Sequence, residues 1–135
     1  MRHDEGSKKD LMLYRLETAY SDLADAELLL ANGSYRSANN RAYYAIYHAV
    51  SAVHALDGKA YKRHKDAIAN FNKDYVHEGI FDASFGRMIS RAERIRHASD
   101  YDDFYIAKKM DVEIQIKEAK EILDCIKQYC YSRTT

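Results

Sequence analysis

The chain has 135 residues, no proline and only five glycines, and its 21 acidic residues equal its 21 lysines and arginines. This length fits one domain with one core, and we expect residues 1–135 to form a single domain. The composition favours helices over strands. The balanced charge argues against a protein that coats nucleic acid over its whole surface, but it leaves room for a local basic site.

The sequence also bears on where the protein works. No apolar run approaches the roughly 20 residues of a membrane span. The N-terminal segment MRHDEGSKKD lacks the apolar stretch of a secretion signal, so we expect a cytoplasmic protein without membrane contact. Cys125 and Cys130 lie five residues apart on one predicted helix and point in different directions. Their spacing argues against a disulfide or a zinc site and fits a reducing compartment.

The first two predicted helices cover residues 7–32 and 35–57, and Gly33 and Gly58 follow them as stops. In both helices small or apolar residues recur in alternating steps of four and three, which keeps them on one face. In the second helix nearly all of these positions are alanines, which indicates that a neighbouring helix packs close to its backbone. They are Ala38, Ala42, Ala45, Ala49, Ala52 and Leu56.

Three further helices are predicted after this pair. The third covers residues 64–75, the segment VHEGIFD interrupts the pattern, and the fourth runs from 83 to 96 or 97. The last extends over residues 108–131, again with apolar residues in alternating steps of four and three. The sequence therefore predicts an all-α protein, an antiparallel up-and-down bundle of about five helices.

Successive residues of an α-helix are rotated by about 100°. In such a projection the arginines of the fourth helix fall on two different faces. Arg87, Arg91 and Arg94 fall opposite the apolar side, with His97 at their flank. Glu93 is the only acid among residues 86–97, so the arginines lack the usual i,i+4 partners. A solvated charged face and a phosphate-binding face both fit this row.

Arg96 differs from these arginines because it falls on the apolar side of the helix. An unpaired buried charge costs several kcal/mol, so it needs a carboxylate. Asp100, Asp102 and Asp103 are the nearest candidates. We expect Arg96, Asp100 and Tyr101 to form a polar clasp with a mainly structural role at the end of this helix.

The second helix carries polar aromatic residues that need partners. Tyr43, Tyr44 and Tyr47 lie on adjacent turns, and their hydroxyls require water or a hydrogen-bond partner. A dimer or partner interface and a half-exposed core position both fit them. His48 and His54 are six residues apart and do not face each other, so we expect no metal site, and no cofactor motif is present.

Two stretches resemble the HEPN family of small helical domains. SANNRAYYAIYHAVSAVHAL, residues 37–56, is similar to the family's second helix, with Arg41, Tyr43, Tyr44 and His48 at matching positions. RHASDYDDFY, residues 96–105, resembles the arginine and acidic-tyrosine turn of the family. The resemblance implies an up-and-down helical bundle that is usually a homodimer.

Many HEPN proteins are metal-independent ribonucleases with an arginine, four to six intervening residues and a histidine. Arg91 and His97 enclose the five residues AERIR and match that spacing. The resemblance implies that these two residues are catalytic, and we expect Arg87 and Arg94 to bind RNA phosphates. A histidine can take the proton of a 2′-hydroxyl, and an arginine can hold the phosphate oxygens.

This sequence departs from the family pattern at two positions. Ala92 follows Arg91 where the family usually has a polar residue. Tyr101 lies four positions beyond His97, farther than the tyrosine that some family toxins carry for modification with AMP.

Two functions therefore remain open. One is an endoribonuclease toxin that acts on RNA and is paired with a minimal nucleotidyltransferase antitoxin. The other is a non-catalytic module that binds a nucleotide or a nucleotidyltransferase partner.

Overall fold

The structure is a computed structural model that describes the backbone of residues 2–134 and the side chains of residues 6–134. Residues 1 and 135 of the expected single domain lie outside the described residues. Residues 2–134 form five helices and no strand, so the predicted all-α bundle is confirmed. The helices are α1 (Arg2–Ala31), α2 (Tyr35–Leu56), α3 (His64–Phe71), α4 (Ser84–Tyr101) and α5 (Lys109–Thr134). None of them is both long and apolar enough to cross a membrane.

Helix α2 is the centre of the bundle and packs against each of the other four helices. Its five predicted alanines, Ala38 to Ala52, are completely buried. The chain turns back from α1 into α2 at Gly33, which adopts a φ of 78° that favours glycine. Ser34 donates its backbone N–H to the Leu29 carbonyl at 2.8 Å and closes the end of α1.

Helix α4 ends later than the sequence predicted. The expected end was residue 96 or 97, whereas the helix continues through Tyr101 and stops at Asp102, whose backbone is extended. No glycine or proline lies in this segment to end the helix sooner. The loop that follows is held by Arg36 of α2, which donates to the carbonyls of Asp102 at 3.2 Å and Tyr105 at 2.9 Å.

A π-helical turn over Asn72–Val76 extends α3. His77 donates its backbone N–H to the Asn72 carbonyl at 2.8 Å, which closes this wider turn. Gly79, with a φ of 82°, then redirects the chain toward α4. The sequence predicted one continuous helix here, because a helix-like apolar pattern does not distinguish a wide turn from a regular one.

His54 is a buried histidine in an aromatic surrounding and is 2% exposed. Its ring centroid lies 4.8 Å from that of Tyr61, 5.8 Å from that of Tyr75 and 6.1 Å from that of Phe71. Burial, with a smaller contribution from Lys59, lowers the pKa of His54 from 6.5 to about 4. The ring is therefore neutral in the folded protein at neutral pH.

We expect stability to fall as the pH is lowered from 7 to 5, because unfolded His54 gains a proton near pH 6.5 and folded His54 does not. Protonation of this group alone should lower the free energy of unfolding by about 2 kcal/mol between pH 7 and pH 5. Urea titrations at the two pH values measure the loss. The His54→Phe variant should lose less stability, and the exposed-histidine control His77→Ala should behave as wild type. Equal losses in all three proteins would show that His54 does not set this dependence.

Candidate functional site

The outer side of α4 carries Arg87, Arg91, Arg94 and His97, which we call the basic strip. It borders two open hollows. The first, the arginine hollow, has a volume of about 640 Å³. It is lined by Asn72, His77, Ala83, Gly86, Arg87, Ser90, Arg91 and Arg94. The second, the histidine hollow, has a volume of about 490 Å³. It is lined by Tyr43, His64, Lys65, Glu93, Arg94, Arg96, His97 and Ala98.

Arg91 is neutralised by an acid from another helix. Its Nη2 lies 3.3 Å from Oε2 of Glu118 on α5. The Glu118 side chain is only 17% exposed, whereas that of Arg91 is 43% exposed. The sequence predicted that Arg91 lacks an acidic partner within α4. In the structure its partner is a carboxylate of α5. Arg91 can contact a phosphate only by sharing or leaving this ion pair.

His97 is exposed, and its ring centroid lies 4.8 Å from that of Tyr101. Within one chain His97 and Arg91 do not line the same hollow. Arg94 is the residue that borders both hollows. The guanidinium groups that share a hollow with His97 are therefore those of Arg94 and Arg96.

Arg96 connects α4 to α2. Its Nε lies 3.2 Å from Oδ2 of Asp100, and its Nη2 donates to the Tyr44 hydroxyl at 3.3 Å. Its guanidinium carbon also lies 5.3 Å from the ring centroid of Tyr43 and 5.7 Å from that of Tyr44. Tyr101 is exposed and contacts His97. Arg96 and Asp100 thus come together, and the larger part of the Arg96 environment is supplied by the α2 tyrosines.

His64 is a residue of the histidine hollow that was not predicted from the sequence. Its Nδ1 lies 3.2 Å from the Tyr43 hydroxyl, and its ring stacks on Tyr47 with centroids 3.8 Å apart. Burial, followed by the positive charge of Arg96, lowers the pKa of His64 below its ordinary value. The tyrosines of α2 indicated that their hydroxyls need hydrogen-bond partners. The partner of Tyr43 could not be identified from the sequence, because 21 residues separate it from His64 and no local pattern links them.

A second polar cluster joins α1 to α2 next to this site. Arg41 lies 3.2 Å from Oδ1 of the buried Asp22, and His48 Nε2 lies 3.5 Å from Oδ2 of the same residue. The Arg41 guanidinium also lies 4.9 Å from the ring centroid of Tyr44. Tyr44 therefore has one arginine from α2 over its ring and Arg96 of α4 at its hydroxyl. Burial lowers the pKa of His48 although Asp22 opposes the shift.

Among the described side chains, no group of three or more histidines, cysteines, aspartates or glutamates is arranged to hold a metal ion. The polar residues at this end of the bundle are instead arginines, histidines and tyrosines. The fold and these residues define a helical domain with a basic, imidazole-containing site between its second, third and fourth helices.

The HEPN domain model matches residues 12–129. The chain belongs to the HEPN domain family, which confirms the resemblance seen in its second helix and acidic-tyrosine turn.

Named relatives support this assignment over most of the chain. A "UPF0332 protein" of Thermotoga maritima is 31% identical over 121 residues, covering 90% of this chain and 92% of that protein. "Putative toxin MJ0605" of Methanocaldococcus jannaschii is 33% identical, covering 84% of each protein. The crystal structure of TT1696 from Thermus thermophilus has a TM-score of 0.73 at 20% identity, covering 87% of this chain and 96% of that one. This last similarity shows a shared fold.

We expect Arg96→Lys to lower the free energy of unfolding by about 1–2 kcal/mol, because an ammonium cannot reproduce the planar contacts with two tyrosine rings and the Asp100 carboxylate. Urea unfolding at neutral pH measures the change. Arg94→Lys is the matched control on the exposed side of α4 and should change stability by less than about 0.5 kcal/mol. If the two variants lose the same stability, the Arg96 guanidinium does not hold α4 to α2.

Proposed function

We propose that this HEPN protein is a metal-independent endoribonuclease of the toxin type and that RNA binds along the basic strip. The observation that carries the proposal is the exposed imidazole of His97 in an open hollow beside Arg94 and Arg96. Relatives that carry the word toxin in their names, including the one from M. jannaschii, support it.

The basic strip has the length and charge to follow an RNA backbone. From Arg87 to His97 the helix rises about 15 Å, so the strip can contact more than one phosphate. Arg87 and Arg94 are exposed and are the residues we assign to phosphate binding. Since the chain has no excess of basic residues overall, the attraction for RNA is local to this face.

In this proposal His97 transfers a proton during cleavage, and Arg91 stabilises charge on the phosphate. The Glu118 carboxylate holds Arg91 in place before RNA arrives and competes with the phosphate for it. Since Arg91 and His97 line separate hollows of one chain, we propose that a homodimer supplies the complete site, with a strip from each copy. A minimal nucleotidyltransferase serves as the antitoxin partner.

A second candidate function is a non-catalytic module that binds a nucleotide or a nucleotidyltransferase at the same end of the bundle. The Arg91–Glu118 ion pair favours it, because an arginine that already has a carboxylate is less available to a transition state.

We expect the wild-type protein to cleave labelled RNA in the presence of a chelator. His97→Ala should lower the rate by about 10²- to 10⁴-fold through loss of proton transfer. Arg91→Ala should lower it by about 10²- to 10³-fold through loss of charge stabilisation. Lys9→Ala, which removes an exposed cation on α1, is the control and should retain wild-type activity. Absence of cleavage by wild type, or unchanged rates in both site variants, would remove the nuclease function and leave the binding module.

We also expect Glu118→Gln to raise the affinity for RNA about fivefold, because phosphate would no longer compete with this carboxylate for Arg91. Fluorescence anisotropy with a 2′-O-methyl oligonucleotide, which lacks the nucleophile, measures binding without cleavage. Glu121→Gln makes the same charge change at an exposed position of α5 and should alter affinity much less. Equal effects of the two substitutions would show that Arg91 does not contact the phosphate.

A further inference from the structure

The histidine hollow is lined by two imidazoles, which come from two different helices. His97 is on α4, and His64 is the first residue of α3. The hollow also contains the cations of Lys65, Arg94 and Arg96. Two imidazoles and several cations around one open space are the groups that RNA cleavage without a metal requires, since one group must remove a proton while another donates one.

His64 is held in a defined orientation, whereas His97 is on the exposed side of its helix. The Tyr43 hydroxyl lies 3.2 Å from Nδ1 of His64, and Tyr47 stacks against the ring. When Nδ1–H donates to the Tyr43 oxygen, the lone pair is on Nε2, and that nitrogen can accept a proton. A contact that fixes one imidazole nitrogen selects the tautomer available at the other.

We propose that His64 is the general base and His97 the general acid of RNA cleavage in the histidine hollow. This inference rests on the proposed endoribonuclease function and names the residue that works opposite His97. It also gives the Tyr43 hydroxyl a positioning role.

The proposed step is a transfer within the RNA strand. Nε2 of His64 takes the proton of the 2′-hydroxyl, and the 2′-oxygen forms a bond to the neighbouring phosphorus. The bond from phosphorus to the 5′-oxygen breaks, and the imidazolium of His97 gives its proton to that oxygen. The products are a 2′,3′-cyclic phosphate and a 5′-hydroxyl end. No water or redox partner is consumed, and proton exchange with solvent restores both histidines.

The charges around the hollow support this division of roles. Burial and, after it, the positive charge of Arg96 lower the pKa of His64, so this ring is neutral and able to accept a proton at neutral pH. Arg94, Arg96 and Lys65 line the same hollow, and in the proposed homodimer they act together with Arg91 of the second copy where negative charge develops on the phosphate oxygens. The groups that face or influence His64 come from three helices. They are Tyr43, Tyr44, Tyr47 and His48 of α2, Lys65 of α3, and Glu93, Arg94, Arg96 and His97 of α4.

A substrate with an altered leaving group separates the two roles. The substrate is a DNA oligonucleotide with one ribonucleotide, made with either oxygen or sulfur at the bridging 5′ position. A thiolate leaves without being protonated, so the sulfur substrate does not need a general acid. With the oxygen substrate, we expect His64→Ala and His97→Ala each to be about 10²- to 10⁴-fold slower than wild type. With the sulfur substrate, His97→Ala should recover to within about tenfold of wild type, whereas His64→Ala should stay slow.

Each other outcome has a definite meaning. If wild type cleaves the oxygen substrate and His64→Ala cleaves it equally fast, the nuclease function stands and the role of His64 is wrong. If sulfur rescues His64→Ala and not His97→Ala, the assignment of base and acid is wrong. If wild type cleaves neither substrate, the proposed nuclease function itself fails. Lys9→Ala is again the control and should match wild type on both substrates.

Tyr43→Phe tests the same proposal without removing an imidazole. It deletes the hydroxyl at Nδ1 and retains the ring, and circular dichroism melting checks that the fold is intact. We expect the rate to fall about tenfold, the effect of one neutral hydrogen bond. The acidic limb of the pH–rate profile should also move, because Tyr43 contacts the group that titrates there. A wild-type profile in a folded Tyr43→Phe protein would contradict a positioning role.

Discussion

The position of the candidate site depends on the contact between Arg96 and the tyrosines of α2. The guanidinium lies over the rings of Tyr43 and Tyr44, donates a hydrogen bond to the Tyr44 hydroxyl and forms an ion pair with Asp100. These contacts fix α4 on α2 in one rotation about its own axis. In that rotation His97 lines the hollow that His64 also lines. Burial and then the same guanidinium lower the pKa of His64, so a contact that joins two helices also favours the neutral form of a site residue.

The distribution of ion pairs explains how a chain without net charge presents a basic face. Several arginines are neutralised by acids that are distant in the sequence: Arg41 by Asp22, Arg91 by Glu118, and Arg133 by Asp57 at the end of α2. In the part of the chain that the structure describes, Arg87 and Arg94 form no such pair within 4 Å. The outer side of α4 therefore keeps two arginine charges without an acid partner among the described side chains, and these charges can attract a phosphate backbone.

Features that repeat within one helix could be predicted from the sequence, and contacts between helices could not. Helical periodicity predicted the five helices, the alanine face of α2 and the separation of Arg96 from the other arginines of α4. The Arg91–Glu118 and Tyr43–His64 contacts depend on how helices are rotated against each other, which the spacing of apolar residues does not determine. The late end of α4 was missed because no residue there strongly favours or forbids a helix.

The loop between α4 and α5 is held by its main chain. Arg36 bonds to the carbonyl oxygens of Asp102 and Tyr105, and every amino acid supplies such an oxygen. The side chains of Phe104 and Ile106 in this loop are 91% and 77% exposed and take no part in that anchoring. Substitutions at these two positions can thus alter what the loop displays and leave its path unchanged. Over evolutionary time positions 104 and 106 are free to diversify, while Arg36 keeps the same contacts beneath them.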